Sequence, residues 1–331
     1  MRSIKTTLAK AGINTFFFLL VLSILLAYLF PEIGSTGSWI PLDGITYYGV
    51  AIIFFFYGVK ISPGALKAGL ANWKLHLLVQ VSTFLFFPAV ILTLLAIWGN
   101  EQSPLWIGTF YLAALPSTVS SSVVMVSIAK GNLPAAIFNA SVSSILGIFI
   151  TPIWMSLYLT GADGDYQLTD TIYKLIVQVL IPVLVGFSLH RYLGEWVAAQ
   201  QKWLKNFDQS IILLIVFSAF ANSFAEKMFE GQSLQALVVL SALMLLFFLA
   251  MMGLMYGLSR LMSFSYADRV TVLFCGSKKS LVQGAVMGKI LFPDPVVFGV
   301  VLLPLMIYHT QQLIVGSALA ERLGARHQSH K

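Results

Sequence analysis

The sequence is poor in charge and almost devoid of cysteine. Asp, Glu, Lys and Arg make up only 10% of the 331 residues, against 58% hydrophobic residues. A soluble domain must wet a surface that grows with its volume, so this balance excludes an ordinary globular protein. The single cysteine, Cys275, excludes an intramolecular disulfide and any multi-cysteine metal site. The net charge of +7 comes without a clustered basic face, which excludes nucleic acid as a partner. No nucleophile–base pair or catalytic constellation lies in the apolar segments, so the chain does not read as an enzyme. No ring of like charges supports an ion channel.

What the sequence does have is apolar residues almost end to end, with a mean hydropathy of +0.86. Crossing the hydrocarbon core takes about 20 apolar residues as a helix. Ten such runs are visible, at 13–30, 44–59, 73–98, 104–130, 133–159, 170–190, 208–225, 234–260, 268–290 and 295–320. They are continuous and not alternating, so helices are expected and a β-barrel is not. The first run, Ile13 to Phe30, lacks a small-residue cleavage site and reads as a retained span. The fold expected is an all-α integral membrane protein of ten transmembrane helices, in a multi-pass plasma membrane (the inner membrane of a bacterium).

Basic residues orient these spans. With the N-terminus inside, the cytoplasmic segments hold Arg2, Lys5, Lys10, Lys60, Lys67, Lys74, Lys130, Arg191, Lys202, Lys205, Arg260, Arg269, Arg322, Arg326 and Lys331. The opposite side holds only Lys174, Lys227 and Lys289. This positive-inside bias places both termini in the cytoplasm. Trp39, Trp73, Trp98, Trp106 and Trp154 stand near span ends, as an aromatic belt requires. Two basic residues remain, Lys278 and Lys279, both in the middle of span nine. All acidic residues fall in loops or at span ends, so these ammonium groups have no intramembrane carboxylate to pair with.

The polar segment 160–170 divides the chain into two halves of five spans, 1–160 and 161–331. An odd number of spans makes the second half enter from the opposite side, the inverted repeat common in secondary transporters. A shift of 160 residues places Ser117 on Ser277 and Phe138 on Phe298, and brings a break in span four onto a break in span nine. In span four Pro116 removes a backbone donor, and Ser117, Thr118, Ser120, Ser121 and Ser122 follow it. In span nine Gly276 and Gly284 flank Ser277, Lys278, Lys279, Ser280 and Gln283. Broken spans at mid-membrane expose carbonyls and helix ends that bind ions and charged groups.

Membrane serines also serve simply as interhelical hydrogen-bonding residues, and lysines near a span end snorkel to the interface. The lysines here have apolar helix on both sides, which makes snorkelling hard. A charge at the bilayer centre costs about 2.5–3.5 kcal/mol on insertion scales and points to function. Asn139, Ser141, Ser143 and Ser144 on span five, Tyr308, His309, Thr310, Gln311 and Gln312 on span ten, and Gln80, Ser82 and Thr83 on span three are further polar candidates. An intramembrane histidine such as His309 reads either as a helix–helix hydrogen-bonding residue or as a proton carrier.

At LPSTVSSSVVMVSIAKGNLPAAIFNASVSSILGIFITP (115–152) and GSKKSLVQGAVMGKILFP (276–293) the chain resembles the bile acid:sodium symporter superfamily. The resemblance is to its SBF-like branch, with bacterial members and the orphan seventh member of solute carrier family ten. It implies a panel domain of spans one, two, six and seven. It also implies a core domain of spans three to five and eight to ten, with broken spans four and nine crossing at the centre. It further implies a sodium site of hydroxyl and amide ligands, with Ser121, Ser122, Asn139 and Ser141 at or beside the matching positions. A second family site uses a glutamate and a glutamine of span nine. This chain has Cys-Gly-Ser-Lys-Lys-Ser there, and it lacks the Ser-Asn pair of span four and a glutamine one turn before the span-three proline.

The function expected is a secondary active transporter of a small organic anion working by alternating access. At most one sodium ion, or a proton, is the coupling ion, and no other cofactor is needed. The alternative is a non-transporting membrane regulator of cation influx built on the same scaffold.

Overall fold

The computed structural model describes residues 15–60, 72–98, 103–160, 173, 176–227 and 234–329. The side chains of Phe17, Trp98, Ser120, Thr160, Leu234 and residues 327–329 are excepted. The N-terminal basic residues and the central loop at 161–172 lie outside the described residues. Among the described residues there is no strand. The α-helices of more than one turn are α1 (Thr15–Leu29), α2 (Leu42–Lys60), α3 (Trp73–Val81), α4 (Phe87–Trp98), α5 (Pro104–Ala114), α6 (Ser120–Ile128) and α7 (Leu133–Thr160). They continue as α8 (Ile181–Ser188), α9 (His190–Ala199), α10 (Gln201–Ala225), α11 (Leu234–Leu261), α12 (Tyr266–Gly276), α13 (Leu281–Leu291) and α14 (Pro295–Ser329).

Six helices are long and apolar enough to cross a membrane: Leu42–Lys60, Trp73–Ile97, Leu133–Leu159, Gln201–Ala225, Gln235–Leu261 and Pro295–Arg326. The chain is a multi-pass membrane protein. The large apolar side chains on its outside, such as Leu25, Leu157 and Leu246, face the solvent that such a protein has, which is lipid.

Close helix contacts rest on small residues, because lipid supplies no hydrophobic drive between helices. α2 lies against α8 at Gly58 and Gly186. A side chain on Gly58 would run into the Val183 carbonyl, and one on Gly186 into the Phe55 carbonyl. Gly108 of α5 meets the Val301 carbonyl of α14 in the same way.

α8 and α9 meet at 95°. The sequence reads 190–199 as a cytoplasmic loop, but it is a short helix. Its Val197 closes a small apolar cluster with Val59 and Leu204, against which Leu193 packs. His190 Nδ1 stands 2.6 Å from the Val59 carbonyl.

Span three is where local chemistry prepares the centre. Pro88 has no N–H, so the carbonyl four residues earlier, Phe84, loses its helical partner. Trp154 Nε1 takes that carbonyl at 2.8 Å. The turn just before, Ser82–Phe86, is a π turn in which the Phe87 N–H reaches back to Ser82. A π turn skips one carbonyl, and here the freed group belongs to Thr83.

Candidate functional site

α5 stops at Ala114 and α6 begins at Ser120, while α12 stops at Gly276 and α13 begins at Leu281. The two breaks touch. The Ser280 N–H donates to the Pro116 carbonyl at 2.9 Å, and Ser117 Oγ to the Cys275 carbonyl at 2.6 Å. Gly147 of α7 leaves room for the Pro116 ring, which a Cβ at that position would strike at 2.7 Å.

A helix C-terminus leaves four carbonyls without partners. At the end of α12 each finds a hydroxyl. Ser277 Oγ donates to Leu273 at 2.6 Å, Ser122 to Phe274 at 3.1 Å, Ser117 to Cys275, and Ser82 of the π turn to Gly276 at 2.7 Å. At the end of α5 the donors are Thr151, which reaches the Ala114 carbonyl at 2.8 Å, and Lys279.

Lys279 is fully buried. Its ammonium donates to the carbonyls of Ala113, Leu115 and Thr83, each at 2.7 Å, and lies 4.1 Å from the centre of the Phe87 ring. All three N–H groups are used, which is all an ammonium has. The charge also sits at the negative end of the α5 dipole, where a cation is stabilised. Lys279 therefore closes the break in span four and ties it to span three.

Lys278 is equally buried but poorly met. Its ammonium reaches the Ser121 carbonyl at 3.3 Å, touches Met125 Sδ and lies 5.7 Å from the Phe274 ring centre. It stands beside the first turn of α6, whose backbone N–H groups form a positive helix end. One distant carbonyl and a thioether are weak partners for a buried cation, and a helix N-terminus is a place for an anion.

The other predicted residues divide. Thr118 Oγ1 and Ser122 Oγ are 2.6 Å apart, and Ser121 Oγ donates to Thr118 at 2.9 Å, so these three hydroxyls form one cluster beside Lys278. The side chain of Ser120 lies outside the described residues. Asn139 is buried and bonds to Gln80 and to the Ala135 carbonyl, not to Ser121 or Ser122. Ser141 is exposed, with its hydroxyl on the Ile137 carbonyl. Ser280 caps α13 by accepting from the Gln283 N–H at 3.3 Å. Gln283 Nε2 donates to the Ser144 carbonyl at 3.3 Å, and its Oε1 is buried without a partner. Gln311 turns away to Ser241 of α11. His309 belongs to the centre through Gln312, whose Nε2 stands 2.8 Å from His309 Nδ1. Among the described residues no group of His, Cys, Asp and Glu could hold a metal ion.

The pattern of the SBF-like CPA transporter family matches residues 14–325, nearly the whole chain. The chain belongs to this family. SBF-like relatives include YfeH of Escherichia coli (strain K12), 39% identical over 94% of this chain and 92% of its own length. An uncharacterised protein of Pseudomonas aeruginosa is 38% identical over 95% and 93%. Sodium/bile acid cotransporter 7 of Danio rerio is 33% identical over 91% and 90%. Membership in a transporter family points to solute movement, and the paired broken helices of this SBF-like chain bring two buried lysines against interrupted backbone.

Proposed function

We propose that this SBF-like protein is a secondary transporter that moves a small organic anion by alternating access, with ten spans and both termini cytoplasmic. The observation that carries the reading is the different fate of two adjacent lysines. Lys279 is saturated by three carbonyls. Lys278 is a buried ammonium with one carbonyl at 3.3 Å, beside a helix N-terminus and a hydroxyl cluster. A buried cation so poorly paired is costly, and an anionic substrate supplies what it lacks. On this reading α1, α2, α8 and α10 form the panel, and α3–α7 with α11–α14 form the core.

Lys279 also bears on coupling. A fixed ammonium bound to three carbonyls does what a bound sodium ion does, joining two broken segments with one positive charge. Transport then proceeds with at most one sodium ion, or with a proton. The hydroxyls of Thr118, Ser121 and Ser122 are candidate cation ligands near the crossing.

Uptake of radiolabelled organic anions by proteoliposomes of the pure protein tests the proposal. Candidates come from a thermal-shift screen with and without sodium, since a ligand of the native state raises its melting temperature. Flux abolished by Lys278→Gln supports the reading. A pure protein that moves no solute but alters cation influx in cells supports the regulator instead.

A further inference from the structure

The membrane face where α2 and α8 end carries a helix that transport does not use. α8 lies against the span α2 at Gly58 and Gly186, and α9 leaves it at 95°. Spans tilt by about 20° from the membrane normal, so α9 runs close to the membrane plane. Its faces are sorted for that position. His190, Leu193 and Val197 recur at helical spacing and share one face. That face meets the Val59 carbonyl and the cluster of Val59 and Leu204. Tyr192 and Trp196, one turn apart on one flank, are exposed. Arg191 and Glu195, also one turn apart, are exposed on the other flank.

The first turns of α10 continue the pattern. Leu204 is buried, while Trp203 beside it is half-exposed. Phe56 of α2 gathers the two tryptophans, its ring centre 6.2 Å from that of Trp196 and 6.3 Å from that of Trp203. Trp203 stacks on Phe207 at 5.6 Å. Phe56 is one turn inside the end of α2. The aromatic patch therefore sits where a span meets the headgroups, the level that tryptophan prefers. Lys202 and Lys205 are exposed in the same turn of α10 as Trp203. Three exposed cations, Arg191, Lys202 and Lys205, stand against one exposed acid, Glu195. Asp208, the other acid of this segment, is partly buried, and its Oδ1 is turned away from solvent. Just before the bend, Leu184 and Phe187 of α8 present apolar surface outward.

We propose that α9 and the start of α10 form a binding surface for anionic phospholipid of the cytoplasmic leaflet. Arg191, Lys202 and Lys205 attract the phosphate headgroups. Tyr192, Trp196 and Trp203 lie at the level of the glycerol backbone, and acyl chains run along Leu184 and Phe187. A flat helix with an aromatic flank and a cationic flank binds an anionic membrane surface through both. A zwitterionic lipid satisfies the aromatic flank and leaves the cations without net negative charge. Each basic residue near an anionic membrane surface favours association about fivefold.

Full-length protein in phosphatidylcholine vesicles gives the test. The vesicles are doped with equal amounts of brominated phosphatidylglycerol or brominated phosphatidylcholine, since bromine quenches tryptophan fluorescence on contact. The part due to Trp196 and Trp203 is the difference between wild type and the double variant Trp196→Phe, Trp203→Phe. That part should be quenched at a several-fold lower fraction of brominated phosphatidylglycerol than of brominated phosphatidylcholine. The triple variant Arg191→Gln, Lys202→Gln, Lys205→Gln should erase the preference. Its three sites are exposed, so it should fold as wild type does, and the comparison of the two lipids in wild type stands without it. Equal quenching by the two lipids in wild type overturns the proposal. So does a preference that the triple variant keeps in full. Fluorescence of Trp196 and Trp203 that neither lipid quenches leaves α9 to water or to another protein, and overturns it as well. None of these outcomes bears on transport.

Discussion

Lys279 and Lys278 are neighbours in sequence with opposite circumstances. Replacing Lys279 by Gln leaves three buried carbonyls without their charged donor. Hydrogen bonds to charged groups contribute about 1.5–3 kcal/mol each. The variant should therefore lose at least about 3 kcal/mol of stability, read as a large drop in thermal unfolding temperature in detergent. Lys278→Gln removes only a 3.3 Å bond and a sulfur contact, so its unfolding temperature should stay near or above wild type while its response to anions disappears. Counting basic residues along the chain exposes this pair, since no loop can claim them. It does not tell them apart. Which ammonium finds carbonyls depends on how the chain leaves α12 and on the carbonyl that the π turn releases at Thr83, and both are set by tertiary packing. Gln312 stands out in the sequence only as one polar residue of span ten, and its role follows from the Lys279 backbone it bridges.

At the scale of elements, the hydroxyls after Pro116 serve two purposes that the sequence runs together. Ser117 and Ser122 reach across to the end of α12, as does Ser82 from span three. Interhelical hydrogen bonds in membranes contribute about 0.6–1.7 kcal/mol each. Changing Ser82, Ser117 and Ser122 together to Ala should thus cost about 2–5 kcal/mol, measurable by denaturation in mixed micelles. Ser121, whose hydroxyl donates to Thr118 within the same segment, should cost little as Ala and should weaken anion binding. The breaks themselves were readable, because proline, glycine and a run of hydroxyls interrupt otherwise apolar helices. The hydrogen-bond partners were not, because each lies more than 150 residues away. The short helix α9 escaped notice because ten amphipathic residues between two spans look like a loop until Val59 and Leu204 supply a packing partner.

For the whole molecule, the distribution of Lys and Arg predicts the topology. Alkaline phosphatase fused after Gly164 should be active and fused after Lys331 inactive; the opposite pattern contradicts ten spans with cytoplasmic termini. Alternating access adds a second expectation. Lys289 of α13 pairs with Asp43 of α2 at 2.6 Å, and Ser223 of α10 holds the Val296 carbonyl of α14, next to Gly299, which faces the Ala219 carbonyl. These contacts join the proposed core to the proposed panel at the outer end, so they must part when the site opens outward. Cysteines at positions 43 and 289, oxidised to a disulfide, should arrest flux that reduction restores. Flux that continues through the cross-link would contradict the movement.

The account stands on one buried ammonium meeting an anion, and the most direct measurement is anion flux into proteoliposomes for wild type and Lys278→Gln side by side. The prediction is flux in wild type and none in the folded variant. Equal flux in the two proteins would contradict it.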